Sequence, residues 1–230
     1  MTFQFGFDLN GWLDDEDNRH GTFTFTPSFV DELKPSQKTI LSLFDVSGEW
    51  SRPYREAGYN VAHIDIQNWL SVDIHDINRE WLIDWGLEDV HGILAALPCT
   101  DFAGSGARWW DGKDHSGATK ESVDLAYQTL AIIEFLRPSW WVLENPVGRL
   151  PELVPELEEF GPLYFNPCDY GDPHTKKTGL WGEFNKDMKR TPVEPTEGSK
   201  MHNIAPGPER QYLRSITPAG FANAFFAANP

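Results

Sequence analysis

The chain holds 230 residues, 40% hydrophobic and 13% aromatic, a composition that excludes a disordered polypeptide and suits one domain with a sizeable core. Its 35 acidic against 19 basic side chains leave a net charge of −16, which disfavours non-specific contact with polyanions over most of the surface. No apolar run approaches the roughly 18 residues of a membrane span, no signal peptide opens the sequence, and the two cysteines form neither a disulfide framework nor a metal-ligand spacing. The expectation is a cytoplasmic protein, without metal, in which Cys99 and Cys168 are free.

In chain order, residues 1–38 are acidic, aromatic and without periodicity, and read as an N-terminal extension. A core over 39–186 opens with a strand from Thr39 to Phe44, a turn at Gly48, a helix to about Ala57 stopped by Gly58, and a second strand from Val61 to Ile66. Strand, helix and strand so closely spaced begin a parallel sheet. Val72 to Ile77 alternates and reads as a short third strand, followed by a helix from Asn78 to Trp85. The apolar run from Gly92 to Leu97 is a buried strand closing on Pro98-Cys99. Asp101 to Gly117 has the glycine content of a mobile flap over a pocket. A helix from Thr119 to Leu136 leads to a strand at Trp140 that closes on Glu144-Asn145-Pro146. Pro155 to Phe160 reads as helical, and Leu163–Asn166 and Gly179–Gly182 as short strands. Residues 187–213 form a Pro-rich connection, and 214–230 return to the core with a helix from Pro218 to Ala228. The fold class is α/β, a doubly wound, mostly parallel Rossmann-like sheet in a single domain.

Cys99 and Glu144 carry the chemistry. Ligands of open α/β sheets bind at the carboxyl ends of the strands. A thiol and a carboxyl delivered there by two strands suit covalent catalysis with acid assistance. Alone, Cys99 would read as a small buried hydrophobe; the matched Glu-Asn-Pro at the next strand end favours the functional reading. The turn Phe44-Asp45-Val46-Ser47-Gly48, with Asp65 and Asp76 after the next two strands, suggests a nucleoside cofactor, because acids in these places take ribose hydroxyls. The single glycine disfavours a nicotinamide dinucleotide. In residues 161–230 every base lies between Lys176 and Arg214, a basic stretch in an otherwise acidic chain.

The order Ser42–Gly48, Pro98-Cys99, Glu144-Asn145-Pro146, Asp169–Pro173 and Arg214–Pro218 resembles the cytosine-5 DNA methyltransferases, especially compact phage versions, over residues 39–226. The resemblance implies a methyltransferase sheet using S-adenosylmethionine, with Cys99 as nucleophile and Glu144 as acid. For cofactor binding it implies Phe44, Asp45, Ser47, Gly48 and Trp50 around the first turn, Asp65, Ile66 and Asp76 beyond the next strands, and Pro98 and Thr217. For the substrate it implies Arg108, Asn145, His174, Lys176 and Lys177. The substrate would be double-stranded DNA with the target base flipped out, and the enzyme a monomer.

The chain departs from the family at several points. Val46 stands where the family has glycine, His174, Lys176 and Thr178 where it has Gln, Arg and Arg, and Thr217-Pro218 where it has Gly-Asn. Residues 182–213 replace a whole target-recognition domain, so sequence reading is expected to be minimal. An RNA or single-stranded target, or a non-catalytic methyltransferase-like binding module, are the alternatives; the latter needs neither Cys99 nor Glu144. Amino-group methylation would call for an Asp/Asn-Pro-Pro-Tyr-like strand end, which the sequence lacks.

Overall fold

The computed structural model describes residues 37–68, 71–207 and 209–230. The extension expected over 1–38 lies outside them, apart from Gln37 and Lys38. Six strands form one sheet: β1 (Thr39–Leu43), β2 (Asn60–Ile64), β3 (Gly92–Ala96), β4 (Trp140–Pro146), β5 (Leu163–Phe165) and β6 (Thr178–Glu183). They lie in the order β2-β1-β3-β4-β6-β5. The first four are mutually parallel, whereas β6 runs antiparallel to both β4 and β5.

Period-two alternation sends the central strands' side chains to two separate cores. Leu41, Leu43, Ile93, Ala95, Trp141 and Leu143 pack with Leu130 and Ile133 of the long helix α4 (Ala118–Leu136). Ile40, Leu94, Trp140 and Val142 join Trp50, Tyr54, Phe221 and Phe225 on the other face. That face is covered by α1 (Arg52–Glu56) and α8 (Ala219–Ala228). Both layers are needed because the central strands are apolar on both sides. Each fully buried Leu, Ile or Phe contributes roughly 1.5–3 kcal/mol, so α8, with Phe221 and Phe225 wholly buried, is integral to the sheet.

Two expected elements differ. Val72 to Ile77 is no strand: Asp73 caps a single 3-10 turn at Ile74–Asp76, its Oδ1 accepting the His75 N–H at 3.0 Å. The side chain of Asn78 likewise caps α2 (Arg79–Asp84) at 2.9 Å. Capping acids and amides won over the alternating apolar pattern. The expected flap is also ordered. A 3-10 turn at Gly104–Trp109 runs into α3 (Trp110–Ser116), so its glycines mark bends and not a free loop. Pro155–Phe160 is a 3-10 turn following α5 (Leu150–Leu153). In the Pro-rich connection only α6 (Lys200–Asn203) and the start of α7 (Arg210–Ser215) are regular, and α7 straddles the boundary expected at residue 213. No helix of the described residues is long and apolar enough to cross a membrane.

Gly92 owes its identity to packing, since a Cβ there would meet the Trp140 ring at 2.2 Å. We expect Gly92→Ala to lower unfolding free energy by about 1–3 kcal/mol, the usual cost of overpacking. Gly112→Ala, in open space within α3, should raise it by about 0.5–1 kcal/mol. Urea denaturation of the two variants against the parent checks both signs.

Candidate active site

A cavity of about 1280 Å³ opens at the carboxyl ends of β1 to β4, and its wall holds both Cys99 and Glu144. Backbone pairing brings them there. Ala96 of β3 is in register with Glu144 of β4. One residue on, the buried Asn145 side-chain amide donates from Nδ2 to the Leu97 carbonyl at 3.0 Å, fixing the path of Pro98-Cys99. The Cys99 carbonyl accepts the N–H groups of Phe102 and Ala103 at 3.2 and 2.9 Å. The strand ends are then stitched by Gly104 N–H to Val147 O and Arg149 N–H to Phe102 O, at 2.9 and 3.0 Å. Gly148 is obligatory in this crossing: a Cβ would lie 1.9 Å from the Phe102 carbonyl oxygen.

Arg149 holds the roof. Its guanidinium donates to both Asp114 carboxylate oxygens at 2.8 and 2.9 Å and to the Asp101 carbonyl at 3.0 Å, and it stacks 4.6 Å from the Trp110 ring. Lys113 adds an ion pair to Asp101 at 2.8 Å. A bidentate, largely buried arginine is a strong fastener, so the segment that carries Arg108 and Trp109 along the cavity is held at its far end.

Charge is segregated along the cavity wall. Asp65 and Asp73 follow β2 on one side of the sheet beside Phe44 and Ile66, whereas Lys176 precedes β6 on the other side and its charge, with that of Arg214, reaches Cys99; Arg108 and Arg210 line the same cavity. Burial pushes the Asp65 carboxyl up, opposed by the Gln67 N–H that donates to its Oδ1 at 2.7 Å. The His75 N–H and ring hold Asp73 below the usual carboxylate range.

Glu144 is pushed up by burial, with Lys176, whose Nζ lies 3.9 Å from Oε1, pulling the other way. Burial also raises the Cys99 thiol; Lys176 opposes this, Glu144 adds to it, and Arg214 opposes it. The same lysine donates to the Arg214 carbonyl at 3.2 Å, joining β6's approach to α7.

The sequence-predicted residues divide sharply. Phe44, Asp65, Ile66, Pro98, Arg108 and Lys176 line the cavity with Cys99 and Glu144. Asp45 does not: its buried carboxylate is spent on Ser42 Oγ, Ser47 Oγ and the N–H and Oγ of Ser51, all within 3.1–3.2 Å, and so organises the turn. Ser47 faces that network. Gly48 (φ +67°) faces away from the cavity, where a Cβ would meet His63 at 2.7 Å. Trp50 is fully buried against Phe221 and Phe225. Asp76 is exposed on the 3-10 turn and the cavity wall takes Asp73 instead, the consequence of the missing third strand.

On the substrate side, Asn145 is sealed at 0% exposure by its bond to Leu97. His174 is buried outside the cavity, and both ring nitrogens lack a hydrogen-bond partner among the described residues. Lys177 points to the Tyr164 ring, 4.8 Å away. Thr217 borders a small separate recess shared with Glu144, Lys176 and Phe221. Sequence reasoning missed Asp73, Arg210, Gln211 and Tyr212. Asp73 carried a signal in its capping position before Ile74-His75; the residues of α7 carried none beyond basic charge.

Iodoacetamide alkylation of Cys99, followed by peptide mass to separate it from Cys168, should titrate above the ordinary thiol range. Removing the lysine charge in Lys176→Met should move the midpoint higher still, and Glu144→Gln should bring it down. Midpoints that move in the opposite directions would contradict the electrostatics above.

Residues 55–152 match the family model described as C-5 cytosine-specific DNA methylase. No curated protein matches the chain. A solved structure from E. coli, provisionally described as a DNA modification methyltransferase encoded within a prophage, aligns at 16% identity with a TM-score of 0.46. The alignment covers 64% of this chain and 46% of that one, so the chain spans less than half of that protein's length. The likeness to that structure is too distant to bear on activity. The family match includes β3, Cys99, β4 and Glu144, so the matched segment is similar to the C-5 cytosine-specific DNA methylases across both strand ends that face the cavity.

Proposed function

We propose that the chain transfers a methyl group from S-adenosylmethionine to C5 of a cytosine in DNA, through a covalent adduct on Cys99. The observation that carries this reading is the convergence of Cys99 and Glu144, from adjacent parallel strand ends, on one cavity with an acidic and a basic end. A thiol and a raised-pKa acid side by side are what a ring too electron-poor to act as a nucleophile requires. The thiolate forms the Sγ–C6 bond, electrons of the C5=C6 double bond shift toward C5 and, through C4, onto N3, and a proton from Glu144 held against N3 offsets the growing charge. C5, made nucleophilic by this addition, would take the methyl group from the bound donor; loss of the C5 proton to water then lets Sγ leave, and the N3 proton returns to Glu144 as the aromatic ring is restored. Lys176 stabilises the thiolate before attack and the Glu144 carboxylate after it has given up its proton. The target base must leave the helical stack to reach a cavity of this depth.

The acidic end fits the cofactor. Asp65 offers an acceptor for ribose hydroxyls, Asp73 one for the adenine amino group, and Phe44 and Ile66 provide apolar walls beside them. When bound there, S-adenosylmethionine supplies an electrophilic methyl carbon on a positively charged sulfur. The basic side chains of Arg108 and Arg214 on the cavity wall suit a phosphodiester backbone, while the net charge of −16 keeps non-specific affinity low and salt-sensitive.

Labelled S-adenosylmethionine incubated with DNA and with RNA, followed by digestion to nucleosides, tests the reading. The label should appear as 5-methylcytosine from DNA. It should be absent with Cys99→Ala and reduced about 10²- to 10⁴-fold in rate with Glu144→Gln, the scale of a lost general acid. Label on an exocyclic nitrogen, or undiminished in Cys99→Ala, would contradict it. Calorimetry on Asp65→Ala should show S-adenosylmethionine affinity about 10- to 150-fold weaker, the worth of one charged hydrogen bond.

A further inference from the structure

Among the described residues, no separate recognition module lies between β6 and α8; the chain instead runs through α6 to α7 at the cavity rim. Arg210, Gln211, Tyr212, Arg214 and Ser215, five of the six residues of α7, line the same cavity as Cys99. The helix is tied to the reaction centre, because Lys176, 3.9 Å from Glu144, donates to the Arg214 carbonyl. A short helix held at the mouth by a residue beside the reacting groups is positioned relative to the target base, and therefore relative to that base's neighbours.

The side chains of α7 have unspent capacity. Arg210 Nε is shut off from solvent without a hydrogen-bond partner among the described residues, a donor whose desolvation is offset only when an acceptor arrives. Gln211 is exposed, and Tyr212 is 44% exposed while its ring borders the cavity. Arginine pairs two donors with the O6 and N7 of guanine, and glutamine pairs donor and acceptor with the N6 and N7 of adenine. Trp109, 59% exposed, lines the same cavity, with the Arg108 guanidinium 5.1 Å from its ring. There the guanidinium lies against an aromatic plane, so the pair offers stacking and charge.

We propose that α7 is the sequence-reading element of this enzyme, with Arg210 and Gln211 contacting the edges of the bases next to the target cytosine. The inference rests on the methyltransferase reading above and adds to it where specificity resides. Six residues offer room for one or two base-edge contacts, so the context read is one or two base pairs wide. Arg214, anchored through its carbonyl, sets the distance of the helix from Cys99.

The test is deep bisulfite sequencing of a duplex library with a fixed cytosine and four randomised flanking positions, treated with the parent chain, Gln211→Ala and Arg210→Lys. Gln211 is exposed, so its truncation leaves the fold intact, and Arg210→Lys keeps the charge while removing the fork. The parent should prefer one base at one or two flanking positions by about 5- to 150-fold, the discrimination of a good bidentate contact. Each variant should flatten the preference at one position, and Arg210→Lys should keep the salt dependence of binding. Variant profiles that superimpose on the parent's, or a parent with no flanking preference, would overturn the role of α7 while leaving methyl transfer in place. A parent that modifies no cytosine in any flank would remove the methyltransferase reading and this inference together.

Discussion

The buried hydrogen bond from Asn145 Nδ2 to the Leu97 carbonyl is the constraint on which the site depends. Parallel pairing places Ala96 opposite Glu144, but β3 ends there, and the three residues to Cys99 have no strand partner to direct them. The amide of Asn145 supplies that direction from β4. It is fully sealed, so the bond competes with no solvent, and losing it would strand a buried carbonyl at a cost of about 1–3 kcal/mol. The stitching at Gly104, Gly148 and Arg149 continues the same crossing outward to the roof of the cavity. The Glu-Asn-Pro motif thus divides its labour: the acid faces the cavity and the amide positions the thiol.

The electrostatics follow from the depth of that crossing. A thiol and a carboxyl drawn below the surface both resist ionisation, which suits an acid that must carry its proton to the substrate and hinders a nucleophile that must lose one. Lys176 resolves the conflict by lying near both, and through the Arg214 carbonyl it connects them to α7. A lysine suits that position, because a compact point charge can act on thiol and carboxyl at once without a bidentate grip on either. Glu144, Lys176 and α7 are consequently one mechanical unit, and substitutions in it should not be additive.

The strands and the long helix were legible because their apolar patterns were uninterrupted: β3 and α4 begin and end within about a residue of expectation. The meeting of Cys99 and Glu144 on one cavity was legible for the same reason, since a strand end fixes where the next side chain goes. Legibility failed where polar side chains decide local structure. Asp73 and Asn78 cap turns that alternation disguised as a strand, and the move from Asp76 to Asp73 at the cavity wall follows directly. Around Gly48, the family pattern pointed to ligand contact, whereas Asp45 is consumed by three serines and the glycine makes room for His63. The roof over 104–116 read as a flap because Arg149 and Asp114, its fasteners, are 35 residues apart in sequence and no local pattern links them.

The central claim is that Cys99 becomes covalently bonded to the base during turnover. A duplex containing 5-fluorocytosine tests it most directly, because fluorine at C5 cannot leave as a proton and the thiol stays attached. Incubation with S-adenosylmethionine should give a denaturation-stable protein–DNA adduct whose modified peptide contains Cys99, and Cys99→Ser should give none. An adduct mapping to Cys168, or methyl transfer to ordinary cytosine without any trapped adduct on the fluorinated duplex, would contradict the account.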